Sequence, residues 1–333
     1  MRRCIGRLIG RLGATAKLWN GPEGSRIVSH QLQAGKRHMN IGIAGVGKMG
    51  AAIAMRLMEL GHTVTIWNRS ADKTKPLADA GATVAATPAE LAAKSETIIT
   101  ILTDAAAIDT VYTGASGLLT GDVAGKLFIE MSTVQPATEV ALAAKVRAKG
   151  TAFVECPVGG STGPARQGQL IGLMGAEPAD ANRSRPLLQQ MCRRIEHCGP
   201  VGAAASVKLA INLPLMVSWQ AFGEAFALCR DIGMKPEQLV NLFSDISATT
   251  NAFKARAPVI AAILAGGEGA AGATFTIDSG LKDLRTMAAE GKSRGMELPL
   301  VQRAADCFEE ASRAGWGPRD GAAVTVYWSS RKR

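Results

Sequence analysis

Asn40-Ile41-Gly42-Ile43-Ala44 is a short apolar run that passes directly into Gly45-Val46-Gly47-Lys48-Met49-Gly50, a G-x-G-x-x-G, and then into an Ala/Leu-rich segment from Lys48 to Leu60 closed by Gly61. The run predicts a buried strand and the segment a helix. Each glycine has a separate use. The first permits the tight turn, the second lets backbone N–H groups approach a pyrophosphate, and the third allows close helix–strand packing, with the helix dipole favouring the phosphate charge. An isolated match carries little weight in a chain with 37 Gly. Here strand, motif, helix and a second strand fall in order, so Gly45, Val46, Gly47, Lys48, Met49 and Gly50 are expected to cradle a dinucleotide.

The second strand, near 63–67, bears on which dinucleotide. A site for NAD usually places Asp or Glu about 20 residues on, where it bonds the ribose 2′-OH. This strand ends instead in Asn68-Arg69-Ser70. Arg69 can pair with a 2′-phosphate while Asn68 and Ser70 add polar contacts, which favours NADP, with NAD as the alternative.

Working outward, short β-branched runs near 97–102, 127–131, 151–155, 170–174 and 195–198 alternate with helical stretches, the pattern of βαβ units on a parallel sheet. Thr87-Pro88-Ala89-Glu90 has the form of a capping box with Pro at the first helical position. After Gly199-Pro200-Val201-Gly202 the strand-like runs stop. A long apolar helix is expected over 204–232, buried within a larger helical assembly, then helices near 236–244, 278–294 and 299–314. The apolar stretch from Leu209 to Leu228 approaches bilayer length, but Asn212, Pro214, Gln220 and Glu224 interrupt it and argue against a span. The expected organisation is a basic extension over 1–38, a nucleotide-binding α/β domain over 39–200 and an all-helical domain over 201–328.

With 333 residues, 47% hydrophobic and 20% charged, the composition is that of a folded chain of about two domains. The formal charge of +10 is uneven: residues 1–38 carry eight Lys/Arg against one Glu, leaving the remainder nearly neutral. That distribution argues against a nucleic-acid partner for the folded part, which would need a basic stripe on a structured face. Six cysteines without a C-x-x-C pair and four histidines imply neither a disulfide framework nor a metal site. The 1–38 segment has the basic character of a targeting peptide. Met39 stands immediately before the first strand, however, which favours an upstream extension and a cytoplasmic location over the mitochondrial matrix.

Lys208 and Asn212 lie four apart near the start of the long helix and so on one face. Apolar neighbours (Val207, Leu209, Ala210, Ile211) disfavour the charged amine and move its pKa toward the range useful for exchanging a proton with a substrate hydroxyl. Two further segments sit at predicted strand C-termini, where open α/β sheets bind ligands. One is Glu155-Cys156-Pro157-Val158-Gly159-Gly160-Ser161, in which Gly159 and Gly160 can offer backbone N–H groups to a carboxylate and Ser161 a hydroxyl. The other is Ile129-Glu130-Met131-Ser132-Thr133-Val134-Gln135-Pro136.

Taken together, the glycine loop with Met49-Gly50, Pro157-Val158-Gly159-Gly160, Gly199-Pro200-Val201-Gly202 leading to Lys208 and Asn212, and Lys282-Asp283-Leu284 resemble, in that order, the β-hydroxyacid dehydrogenase family, the group of 3-hydroxyisobutyrate dehydrogenase. The likeness runs from residue 40 to about 327 and includes a closing Gly315-Trp316-Gly317 with Asp320. It implies a Rossmann-type parallel-sheet domain followed by an all-α domain like that of 6-phosphogluconate dehydrogenase, a homodimer or tetramer, and an active site in the cleft between the domains. By position it makes Lys208 the general acid/base and Asn212 a substrate-orienting residue. It brings Lys282 to the nicotinamide end of the cofactor, and Thr133, Leu102 and Thr103 to its ribose. The family's substrate loop commonly reads Ser-Gly-Gly where this chain reads Gly159-Gly160-Ser161. The serine is thus displaced, and the implied substrate is the broader class of small β-hydroxy acids and their semialdehydes. Two other functions compete: an imine reductase, against which Lys208 argues, and a catalytically silent dinucleotide-binding module, against which the joint presence of Lys208, Asn212 and Lys282 argues.

Overall fold

Nine strands form one sheet: β1 (Asn40–Ala44), β2 (Thr63–Trp67), β3 (Thr83–Val84), β4 (Thr97–Thr100), β5 (Leu127–Glu130), β6 (Ala152–Glu155), β7 (Val158–Gly159), β8 (Leu170–Gly175) and β9 (Cys192–Gly199). The computed structural model describes residues 38–267 and 273–331. The basic segment over 1–37, and with it the targeting question, lies outside them.

The order across the sheet is β3-β2-β1-β4-β5-β6-β8-β7, with β9 also on β8. The first six strands run parallel, β8 is antiparallel to β6 and β7, and β9 is parallel to β8. Strands β4, β5 and β6 are buried at every position because helices cover both faces, which is why they read as unbroken apolar runs. The chain leaves β1 toward β2 on one side and returns to β4 on the other. The C-terminal ends of β1 and β4 therefore open a crevice at the point of reversal.

Among the described residues six α-helices make the second half: Ala203–Leu228, Pro236–Asp245, Asn251–Leu264, Ile277–Ser293, Pro299–Ala311 and Ala323–Ser330. Their core gathers Met216, Trp219, Phe222 and Phe226 of the long helix with Phe253, Ile277, Leu284, Phe308 and Val324. Phe222 and Phe253 pack tilted with centroids 4.2 Å apart, and Phe226 meets Phe243 edge-on at 4.9 Å. Among the described residues no helix is long and apolar enough to cross a membrane.

The Thr87 hydroxyl accepts from Glu90 N as a capping box requires, but the Glu90 carboxylate reaches back to Ala86 N rather than to Thr87. The long helix ends at Leu228, not 232, and is not buried all round: Val207, Ala210, Ile211 and Pro214 form an exposed patch. Two short strands go unsignalled by periodicity, β3 because both its residues are exposed and β7 because it ends in glycine. Asn251–Leu264 is obscured by Pro258 at its centre. Ala323–Ser330 carries Val-Thr-Val-Tyr-Trp, a strand-like run. It is helical because it lies along the long helix at Gly223, where an added Cβ would stand 3.1 Å from the Thr325 carbonyl oxygen and 3.0 Å from the Trp328 Cβ.

Candidate active site

At the β1 C-terminus Gly45 adopts φ +97°, and a Cβ there would strike the Ile101 carbonyl oxygen beyond β4. Gly50, in the first turn of the Lys48–Glu59 helix, lies so close under the loop that a Cβ would collide with the Gly45 carbonyl oxygen. Gly47 differs from both. Its Cβ would meet nothing within 4 Å, and no side chain caps the helix that begins after it. The loop is thus tight beneath and open above, with Lys48, Met49 and Gly50 in a first helical turn that faces the opening. This is the shape a pyrophosphate requires.

Asn68 at the end of β2 is occupied with the loop itself. Its side-chain oxygen accepts from Val46 N at 3.1 Å and its amide donates to Ser70 O at 3.0 Å. Its amide thus braces the cradle. Arg69 is exposed, and among the described residues no carboxylate pairs with it. Leu102 and Thr103 fall just past β4, which ends at Thr100. The Leu102 backbone is fixed by a 2.8 Å hydrogen bond from its N–H to Ser132 Oγ, and Ser132 in turn donates both its N–H and its hydroxyl to the buried Glu130. Burial raises the Glu130 pKa, and Glu139, buried beside it, is raised well above the usual carboxylate range by the same desolvation and by the Glu130 charge. Ser132 and Glu130 therefore shape the loop that follows β4. Neither residue carries a local sequence signal for that part.

A cavity of about 540 Å³ opens between the sheet half and the helical half, lined by Asp104, Thr133, Gln135, Asp278, Lys282 and Arg285 among others. Lys282 Nζ donates to Thr133 O at 2.8 Å and pairs with Asp283 Oδ1 at 2.6 Å. Asp283 Oδ2 accepts from Asn212 Nδ2 at 3.2 Å, Asn212 Oδ1 accepts from Lys208 Nζ at 3.2 Å, and Lys208 Nζ also donates to Val158 O at 2.9 Å. One chain of bonds thus joins the substrate-loop candidate, the long helix, the Ile277–Ser293 helix and the Thr133 loop. Lys208, Asn212 and the Gly159–Ser161 loop stand outside the cavity lining and connect to it through Asp283 and Lys282.

Lys208 is only 9% exposed, and desolvation lowers its pKa, with Lys282 adding to the effect and Asp283 opposing it. Asp283, buried at 3%, is the residue sequence reasoning passed over. Its signal was an acid with Leu281 and Leu284 on either side, directly after Lys282, a place where a helix buries an acid only if it has partners. Gly159 is drawn into pairing with Ile171 of β8, while Gly160 is exposed with φ +126° and Ser161 begins the short helix Thr162–Arg166.

Comparison with known proteins places both halves of the described chain in one family. Residues 40–199 match the family model described as the NAD binding domain of 6-phosphogluconate dehydrogenase. Residues 202–328 match the one described as NAD-binding of NADP-dependent 3-hydroxyisobutyrate dehydrogenase. Glyoxylate/succinic semialdehyde reductase 1 of Arabidopsis thaliana is 33% identical over 86% of this chain and 97% of its own. The chain belongs to the β-hydroxyacid dehydrogenase family. Another member of the family, 2-(hydroxymethyl)glutarate dehydrogenase of Eubacterium barkeri, is 30% identical over 88% of this chain and 96% of its own. The fold is also that of the crystal structure of 3-hydroxyisobutyrate dehydrogenase from Salmonella typhimurium, with a TM-score of 0.77 at 24% identity, covering 86% of this chain and 99% of that one. As a β-hydroxyacid dehydrogenase the protein is an NAD(P)-dependent oxidoreductase acting on CH–OH groups.

Proposed function

We propose that this β-hydroxyacid dehydrogenase is an NADP-preferring enzyme that interconverts a small β-hydroxy acid and its semialdehyde or keto form, with Lys208 as general acid/base. The observation that carries the reading is a buried amine of lowered pKa, held between the Val158 carbonyl and Asn212 at the junction of the two halves. When bound, NADP supplies the nicotinamide that accepts a hydride from the substrate carbon or returns it.

Lys208 Nζ takes the hydroxyl proton during oxidation and gives a proton to the carbonyl oxygen during reduction, so charge and atoms balance in both directions. Low exposure makes the amine a competent base by disfavouring its charged form, and the Val158 and Asn212 contacts fix its direction. Asn212, anchored by Asp283, orients the substrate hydroxyl. Backbone N–H groups of the Gly159–Ser161 loop are suited to a substrate carboxylate. On the cofactor side we assign the phosphates to Gly45 through Gly50, the ribose to Leu102, Thr103 and Thr133, and the nicotinamide end to Lys282. Candidate substrates are small acids with an aldehyde, keto or hydroxyl carbon, the class that includes the semialdehyde named for the Arabidopsis relative. The test is a panel of such compounds assayed with each dinucleotide. A failure of every member to support hydride transfer would remove the proposal.

Support for NADP comes from the free Arg69 guanidinium at the β2 end and the lack of a carboxylate in Asn68-Arg69-Ser70. Arg69→Asp is expected to reverse the preference, lowering kcat/KM with NADP by about 100-fold, the size of a lost charge-assisted contact replaced by repulsion. An unchanged NADP to NAD ratio would contradict the assignment.

We also infer a homo-oligomer. The exposed patch of Val207, Ala210, Ile211 and Pro214 is apolar over the first half of the longest helix, and a second copy of this chain is its occupant. Light scattering should give at least twice the mass of 34.7 kDa for the wild type and a smaller species for Ile211→Glu; a monomeric wild type removes the inference. The compartment we assign is the cytoplasm, with the mitochondrial matrix as the alternative; the free thiols of the five described cysteines suit either reducing compartment.

A further inference from the structure

Glu155 ends β6 fully buried, facing the start of the long helix from below. Its two carboxylate oxygens accept hydrogen bonds from the backbone N–H groups of Gly202 and Ala205, the open donors of that helix's first turn. The residue before the helix, Gly202, is in the left-handed region and offers no side-chain cap of its own. Glu155 therefore does the work of an N-cap residue from another strand. Three residues after it, the Val158 carbonyl receives the Lys208 ammonium. A single four-residue segment thus holds the long helix at two points, through its first turn and through its lysine.

We propose that Glu155 is a positioning residue for catalysis: its carboxylate sets the depth and rotation of the long helix, so that Lys208 and Asn212 meet the substrate loop in register. This deepens the reading of Lys208 as the acid/base and rests on it. The assignment separates Glu155 from its two buried neighbours. Glu130 is spent on Ser132, and Glu139 pairs with Glu130 rather than with the long helix. Only Glu155 bonds the helix that carries the lysine.

The groups facing Glu155 are Glu130 of β5, Glu139 of the Pro136–Arg147 helix, and the Cys156 and Cys198 thiols, all acidic or neutral. Burial raises the Glu155 pKa to about 7, with the Gly202 and Ala205 N–H bonds opposing the rise and the Glu130 charge adding to it. Above that pH the ionised carboxylate grips both N–H donors. Below it, protonation weakens the grip, and kcat falls as the lysine loses its register.

The experiment compares full-length wild type, Glu155→Gln and Glu155→Asp for kcat, KM, reduced-cofactor binding by fluorescence, and thermal midpoint, on both sides of pH 7. Glu155→Gln is expected to lower kcat by about 100-fold, the usual cost of an ångström-scale misplacement. With kcat read in the reduction direction, cofactor affinity should be retained and the inflection near pH 7 abolished, while the alkaline limb that follows loss of the Lys208 proton remains. Glu155→Asp keeps the charge and is expected to restore an inflection and part of kcat. The inference is overturned if Glu155→Gln keeps the wild-type kcat and inflection. It is also overturned if both variants lose only thermal stability, with turnover per bound cofactor unchanged, since that is a structural role alone. Turnover that survives in Lys208→Ala would sink the acid/base reading instead, so the two failures are distinguishable.

Discussion

Lys208→Ala is expected to lower kcat by about 10³-fold or more while leaving NADP binding within a factor of about two, because general acid–base catalysis by one positioned group contributes about 10² to 10⁴. Two features place the effect toward the upper end. The amine is buried, so water is a poor substitute at that point, and among the described residues its hydrogen-bond partners Val158 O and Asn212 cannot both accept and release a proton. The truncation removes a single amine and three methylenes next to Leu209, at a position bonded to Val158 O and not to the glycine cradle, so the loss in NADP binding is expected to be small. Pre-steady-state hydride transfer, followed by absorbance of the reduced cofactor, measures the chemical step directly. A variant that turns over at more than about a tenth of the wild-type rate would show that another group moves the proton.

The second large effect lies in the glycine loop, where Gly47→Ala and Gly50→Ala should part company. At Gly47, φ is −63° and a Cβ meets nothing within 4 Å, so alanine leaves the free protein's stability unchanged. That same Cβ occupies the space above the first helical turn, and cofactor affinity is expected to fall by about 100-fold, or about 2.7 kcal/mol. At Gly50 the added atom collides with the Gly45 carbonyl oxygen, a backbone atom held by β1 that has little freedom to yield. That variant is expected to lose about 3 kcal/mol of stability, the upper range for overpacking, as well as its cofactor. Thermal melts with and without NADP separate the two. Equal melting losses in the free proteins would mean that the loop does not have the open upper side its geometry indicates.

Much of the candidate site was legible because the relevant signals are local. Gly45 to Gly50 announce a turn between strand and helix. The four-residue spacing of Lys208 and Asn212 puts both on one helical face, and the structure indeed bonds one to the other. Asp283, Ser132 and Glu155 lie within the recognisable motifs, but no local signal of their own gives them a role, since their importance lies in what they face. Asp283 matters because it bonds Asn212 from 71 positions away, and Glu155 because it caps a helix 47 positions on. Asn68 shows the converse. Its place at the end of β2 suggests a ligand contact, and the structure adds a second use that only the fold reveals, a bond from each end of its amide that braces the loop.

The sequence by itself determined the alternation of strand and helix, the glycine turn, the change of texture after Gly202 and the apolar setting of one lysine, because each follows from backbone preference and hydrophobic period over a few consecutive residues. Tertiary structure alone decided that Ala323–Ser330 would be helical against its β-branched composition. It also decided which side of the long helix would stay exposed, and that carboxylates from distant strands would close on helix ends and loop amides. Those outcomes depend on desolvation and on hydrogen bonds between groups far apart in the chain, and such energies exist only once the two halves have packed together.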